Sequence, residues 1–112
     1  MRQYAGPGTF DSPKCFRGAT EAIAELDTAF MIVPGDYDPA PGVHWTITST
    51  LGADYRWYPV VGNHDIPGGG RESSPGANLR WTQAHDIGAV NIGPTGCPST
   101  TYSFDYGDAH FV

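Results

Sequence analysis

Two short apolar segments, each leading into polar residues, set the strongest limit on how this chain can fold. Residues 29–33 form a continuous apolar run that leads into Asp36, and residues 58–61 form a second run that leads into Asn63. Such runs, rich in β-branched and aromatic residues, are typical of buried strands in a parallel sheet. The 27 residues from Asp36 to Asn63 leave room for the helix that connects two parallel strands. The sequence therefore predicts a β–α–β unit within an α/β fold.

The polar residues after these two segments suit a catalytic metal site. In open α/β sheets, ligands bind at the carboxyl ends of parallel strands, so Asp36 and Asn63 are expected at one edge of the sheet. A carboxylate and a neutral amide oxygen are hard donors suited to a divalent cation. His64 can give or take a proton near neutral pH, and Asp65 can hold its imidazole ring in one tautomer. Asp36 and Asn63 are thus the candidate metal ligands, and His64 and Asp65 the candidate catalytic residues.

The same residues resemble two signature motifs of the calcineurin-like metallophosphoesterases. The Gly-Asp pair ending at Asp36 and the Gly-Asn-His-Asp segment ending at Asp65 match the second and third motifs in order and spacing. The resemblance covers about residues 21–112. It implies that Asp36 bridges two metal ions, and that Asn63 binds one of them close to the substrate. It also implies that His64 binds no metal but stabilises the phosphoryl group of the substrate, with Asp65 orienting it.

The resemblance also implies the cofactors, the substrate class and the fold. The cofactors would be two divalent or trivalent ions of manganese, iron or zinc, and the substrate a phosphate ester. The fold would be part of a four-layer α/β/β/α sandwich, made of the β–α–β unit and a C-terminal β-hairpin. Alternating residues over 101–106, a Gly-Asp turn and the returning residues 109–112 predict that hairpin. Apolar residues at helical spacing predict three helices, over residues 15–26, 43–51 and 75–87, and residues 88–98 are expected to form a loop.

The family pattern extends beyond what this sequence contains. Residues 1–112 are expected to be a partial domain, because the family's first strand ends in Asp-x-His and no such motif precedes the polar residues 1–13. A later histidine and a Gly-His-x-His motif, which complete the family's site, are also absent. Asp36 and Asn63 remain, and two ligands cannot hold two cations tightly. The parent protein is therefore expected to hydrolyse phosphate mono- or diesters, and the 112-residue chain to be inactive by itself.

Composition argues against several other classes of function. Six Lys and Arg against twelve Asp and Glu give a net charge of −6, without the basic patch that binds a nucleic-acid backbone. No apolar stretch reaches membrane-spanning length. The motifs are similar to those of bacterial, often exported members, and export would require a signal peptide upstream of the polar residues 1–13. The spacing of Cys15 and Cys97 matches no zinc motif and leaves open whether the two pair.

Two other functions compete with hydrolysis. The chain could be a non-catalytic or vestigial member of the same fold, kept as a folding or binding piece. It could instead be a carbohydrate- or protein-binding module, as the aromatic residues Trp45, Trp57 and Trp81 suggest. His44 is expected at the surface near the start of the second helix and His85 late in the third, and neither is expected to bind a metal.

Overall fold

A pair of parallel strands lies at the centre of the structure, a computed structural model that describes residues 12–35, 37, 39–63, 65, 77–85, 91–93 and 101–112. Within these residues the elements are, in chain order, α1 (Ser12–Ala24), β1 (Phe30–Pro34), α2 (Ala40–Leu51), β2 (Arg56–Val60), α3 (Ala77–Ala84), β3 (Asn91–Ile92), β4 (Tyr102–Tyr106) and β5 (Ala109–Phe111). Strands β1 and β2 pair in parallel, with Phe30 opposite Arg56 and Pro34 opposite Val60. Because α2 connects them, the predicted β–α–β unit is confirmed.

The other predicted elements are present with shifted ends and one addition. The first helix begins and ends two or three residues earlier than predicted, and the hairpin of β4 and β5 is confirmed. The loop predicted over residues 88–98 is wrong in part, since β3 pairs antiparallel with β4 inside it. Two residues are too few to show an alternating pattern. None of the helices in the described part of the chain is long and apolar enough to cross a lipid bilayer.

Helix α2 forms although its sequence is rich in threonine, a weak helix former. Its hydroxyl groups bond back to carbonyl oxygens one turn earlier: Thr46 to Gly42 at 3.0 Å and Thr50 to Thr46 at 2.8 Å. These bonds satisfy the polar hydroxyl of Thr46, which is buried. The same buried stripe carries Val43 and Ile47, so packing against the sheet stabilises a helix that propensity alone would not.

The two faces of the parallel sheet pack against different layers. One face meets the helices in a core of Phe16, Val33, Tyr37, Ala40, Val43, Ile47 and Trp57. The opposite face carries Phe30 and Tyr58, because successive side chains of a strand alternate between faces. Tyr58 stacks on Phe104 of β4 with ring centroids 3.5 Å apart, and Phe30 contacts Phe104 and Phe111 edge to face.

The described residues thus form a small mixed α/β domain with two small sheets. Helices cover one side of the parallel sheet, and the antiparallel sheet covers the other through aromatic rings. The four-layer sandwich stays a prediction. Strand β4 runs opposite to β2, since Tyr102 lies beside Pro59 and Tyr106 contacts Phe30.

Candidate metal site at the carboxyl ends of the parallel strands

Strand β1 ends in a turn whose backbone favours glycine. Gly35 has a φ of +70°, a left-handed conformation that costs a residue with a side chain about 1 to 2 kcal/mol. Its N–H donates to the carbonyl oxygen of Val60 at 2.7 Å and approaches that of Val33 at 3.1 Å. The turn is therefore bonded to the end of β2. Asp36, the predicted bridging ligand, comes next in the chain and lies outside the described residues.

A tight turn from Gly62 to Asp65 follows β2. The backbone N–H of Asp65 donates to the carbonyl oxygen of Gly62 at 3.2 Å, and the N–H of Gly62 donates to Oδ2 of the Asp65 carboxylate at 2.8 Å. Asp65 is completely buried, so its carboxylate closes the turn from the inside. Asn63 is exposed on this turn, and His64 lies outside the described residues. That Asp65 orients His64 stays a prediction.

The two turns meet through their glycines. A Cβ atom placed on Gly35 would lie 3.0 Å from the Cα and 3.3 Å from the backbone nitrogen of Gly62. Because both of these are backbone atoms, no flexible side chain can move aside to make room. The residues that directly follow the two glycines in the sequence are Asp36 and Asn63, the predicted metal ligands. The chain segments that lead into the two motifs therefore touch at one edge of the sheet.

A buried tyrosine holds the chain directly after Asp36. Tyr37 has no exposed surface, and its hydroxyl is hydrogen-bonded to the Thr82 hydroxyl of α3 at 3.2 Å. Its ring contacts Trp57 edge to face, with centroids 6.3 Å apart. Burial of an aromatic ring stabilises the fold by about 1.5 to 3 kcal/mol. The described residues on both sides of Asp36 are therefore held by the fold.

Tyr102 ties the end of β2 to the antiparallel sheet. Its hydroxyl donates to the carbonyl oxygen of Pro59 at 2.6 Å. Burial, with smaller contributions from nearby Tyr37 and Tyr58, raises the pKa of Tyr102 above its ordinary value. The hydroxyl therefore keeps its proton at neutral pH and remains a donor. This bond supports β2 three residues before Gly62.

The four predicted site residues fall into two pairs. Of the two predicted metal ligands, Asn63 is described and exposed, whereas Asp36 lies outside the described residues; of the two predicted catalytic residues, Asp65 is described and buried, whereas His64 is not described. Among the residues that the structure does describe, no three His, Cys, Asp or Glu side chains lie together as a metal site would require. The two-metal site, with Asp36 and Asn63 as ligands, stays a prediction.

Three residues that support these turns have no role in the site predicted from the sequence. Tyr37 is an aromatic residue in an otherwise polar loop, and this alone could have marked it as an anchor. Thr82 is a buried polar residue of α3, and its position in the sequence does not show that Tyr37 is its partner. Tyr102 bonds a residue 43 positions away, and no local pattern can indicate such a partner.

No protein-family model, no curated protein and no solved structure matches this chain. Its function must therefore be inferred from the two motifs and from the geometry of the described residues.

Proposed function

We propose that this chain is part of a metal-dependent phosphoesterase that hydrolyses phosphate mono- or diesters. The observation that carries the proposal is the backbone contact between Gly35 and Gly62. It supports the proposal because the next residues, Asp36 and Asn63, are the carboxylate and the amide that the resemblance assigns to a two-metal site. Two donors separated by 27 residues can serve one site only if the fold brings their segments together.

The donor types and the glycine contact both fit a metal site. Carboxylate and amide oxygens are hard ligands, and the bare backbone at Gly35 lets the two loops approach more closely than side chains would allow. Asp36 and Asn63 would hold metal ions at this edge. Bound there, such ions would activate a water molecule and neutralise charge on the phosphoryl oxygens.

The remaining roles belong to the turn after β2. In this proposal His64 donates a hydrogen bond to the phosphoryl group and protonates the leaving oxygen. The described residues around it are bonded to each other, because the N–H of Gly62 donates to the buried carboxylate of Asp65. A loop fixed before substrate binds need not be ordered during the reaction, which is the advantage of a preorganised site.

The site would be completed by ligands from other parts of the parent protein. An Asp-x-His motif, a further histidine and a Gly-His-x-His motif would supply them, as the resemblance implies. The competing proposal is a non-catalytic member of the same fold, which would share the glycine contact and the buried Asp65 but show no metal-dependent hydrolysis.

Hydrolysis assays with manganese separate these two proposals. The coding sequence on both sides of these 112 codons is expected to contain the missing motifs in frame. The longer protein is expected to hydrolyse p-nitrophenyl phosphate or bis(p-nitrophenyl) phosphate when Mn²⁺ is supplied, and the 112-residue chain alone is not. Flanking sequence without these motifs, or a longer protein that is inactive with every metal, would favour the non-catalytic member.

Asp36→Asn is the most direct substitution in that assay. It keeps the size of the side chain but removes the charge that holds the cations, and is expected to lower kcat at least about 100-fold. Asp108→Asn is the matched control, since Asp108 is exposed in the β4–β5 turn, and it should leave kcat unchanged. Equal rates for the Asp36→Asn variant and the wild type would show that this carboxylate holds no catalytic metal.

A further inference from the structure

A cavity of about 300 Å³ opens at the opposite end of β2 from the candidate metal site. The loop that leads into β2 lines it, whereas Gly62 follows the far end of that strand, and the five residues of β2 span roughly 16 Å between the two. The side chains that matter for binding are His44, Asp54, Arg56, Trp57, Trp81 and His85. The volume is at the lower limit for small-molecule sites, which suits a ligand of one ring.

Four aromatic rings form one wall of this cavity. The Trp81 ring stacks on His85 with centroids 3.8 Å apart, and it lies 29° from parallel to Trp57 with centroids 5.8 Å apart. His44 is tilted by 54° against Trp81 at 5.2 Å. The wall is anchored in the core, because Trp57 is buried and contacts Tyr37. It is therefore present before any ligand arrives.

Hydrogen bonding determines which nitrogen of His44 carries the proton. The indole N–H of Trp57 donates to Nδ1 of His44 at 3.1 Å, and an indole nitrogen can only donate. Nδ1 is therefore the unprotonated nitrogen, and the proton of the neutral ring is on Nε2. Burial, and then the neighbouring His85, lower the pKa of His44, which keeps the ring neutral at pH 7. His44 is thus half-buried and bonded to Trp57, rather than lying at the surface as predicted.

In His85 the other ring nitrogen, Nδ1, carries the proton. Its Nδ1 lies 2.8 Å from the carbonyl oxygen of Trp81, which can only accept, so Nδ1 carries the hydrogen. The Nε2 of the neutral ring is then an acceptor. With ring centroids 5.9 Å apart, His44 and His85 offer one donor and one acceptor side by side. The pair does not suit a metal ion, because the Nε2 of His44 has no free lone pair.

We propose that this cavity binds a saccharide ring. A sugar hydroxyl both donates and accepts, which matches the N–H of His44 beside the bare nitrogen of His85. The carbon face of the sugar would pack against the tilted aromatic rings, while Asp54 and Arg56 at the rim bond the outer hydroxyls. A flat nucleobase is the competing ligand, and it is less suited because it needs a fully open ring face for stacking, whereas His85 already stacks on Trp81.

Nuclear magnetic resonance of the three indole N–H groups tests the proposal on the 112-residue chain. The probes are methyl glycosides of glucose, galactose and mannose, and N-acetylglucosamine. At least one should shift the Trp57 and Trp81 signals in a saturable way, with a Kd on the order of 1 mM for a ligand of this size. The signal of Trp45, which is largely exposed and lies outside the cavity, should not move.

His85→Phe provides the matched variant. Phenylalanine keeps a ring over Trp81 but removes the acceptor nitrogen, and His85 is exposed, so the fold should persist. The Kd should rise about fivefold, the effect of one neutral hydrogen bond. Trp45→Phe should leave the Kd unchanged, because Trp45 lies outside the cavity. The proposal is overturned if no sugar gives a saturable shift, if His85→Phe binds as tightly as the wild type, or if only uracil or Zn²⁺ shifts these signals.

Discussion

Replacing Gly35 with alanine is expected to lower the free energy of unfolding by about 3 kcal/mol. A left-handed φ of +70° costs alanine about 1 to 2 kcal/mol. The new methyl group would also lie 3.0 Å from the Gly62 Cα, and a backbone shift to relieve such overpacking costs about 1 to 3 kcal/mol. Urea unfolding followed by tryptophan fluorescence measures the loss as a fall in the midpoint at constant slope.

Gly107→Ala is the control that separates the cost of a left-handed backbone from the cost of the contact with Gly62. Gly107 has a similar φ of +56°, but a Cβ atom there would meet nothing within 4 Å. Only the conformational cost of about 1 to 2 kcal/mol should appear in this variant. If the two alanine variants lose the same stability, the backbones of Gly35 and Gly62 do not meet as described, and the central support for the proposed function disappears.

Asp65→Ala is expected to lower the free energy of unfolding by about 2 to 3 kcal/mol. The carboxylate is buried and accepts the N–H of Gly62 at 2.8 Å, so its removal leaves a polar group without that partner. Hydrogen bonds to charged groups contribute about 1.5 to 3 kcal/mol, which sets the size of the expected loss. The same urea titration reports the loss.

Asp65→Asn is the conservative counterpart of that change. The amide oxygen can still accept from Gly62, so the expected loss is smaller, about 1 kcal/mol. The Gly62 amide should remain protected from hydrogen exchange in Asp65→Asn and lose that protection in Asp65→Ala. Equal protection in both variants would mean that the carboxylate does not close this turn.

The elements built from local patterns were predictable from the sequence. The strands β1 and β2 could be recognised because continuous apolar runs end at glycine, and the hairpin because alternation is interrupted by Gly107-Asp108. The spacing between the runs then required a helix. The closeness of Gly35 and Gly62 follows from the same logic, since the carboxyl ends of paired parallel strands share one edge.

What could not be predicted depends on contacts between distant residues. The donation from Tyr102 to Pro59 spans 43 positions, and the bond between Trp57 and His44 joins a strand to the preceding helix. Helix α2 carries β-branched residues whose propensity argues against a helix, and only its packing and hydroxyl bonds decide the outcome. His44 shows the consequence, because a surface position in the pattern becomes part of a cavity wall in the fold.

Paramagnetic line broadening by Mn²⁺ tests the central claim, that Asp36 and Asn63 begin a metal site where their preceding glycines meet. Substoichiometric Mn²⁺ added to the 112-residue chain should broaden the amide signals of Gly35 and Gly62 first. Gly107 follows the end of β4, whereas the start of β4 lies beside Pro59 near the candidate site. Its amide signal should therefore stay sharp. The selective broadening should vanish in Asp36→Asn. Uniform broadening along the chain, or selective broadening that persists in Asp36→Asn, would contradict the claim.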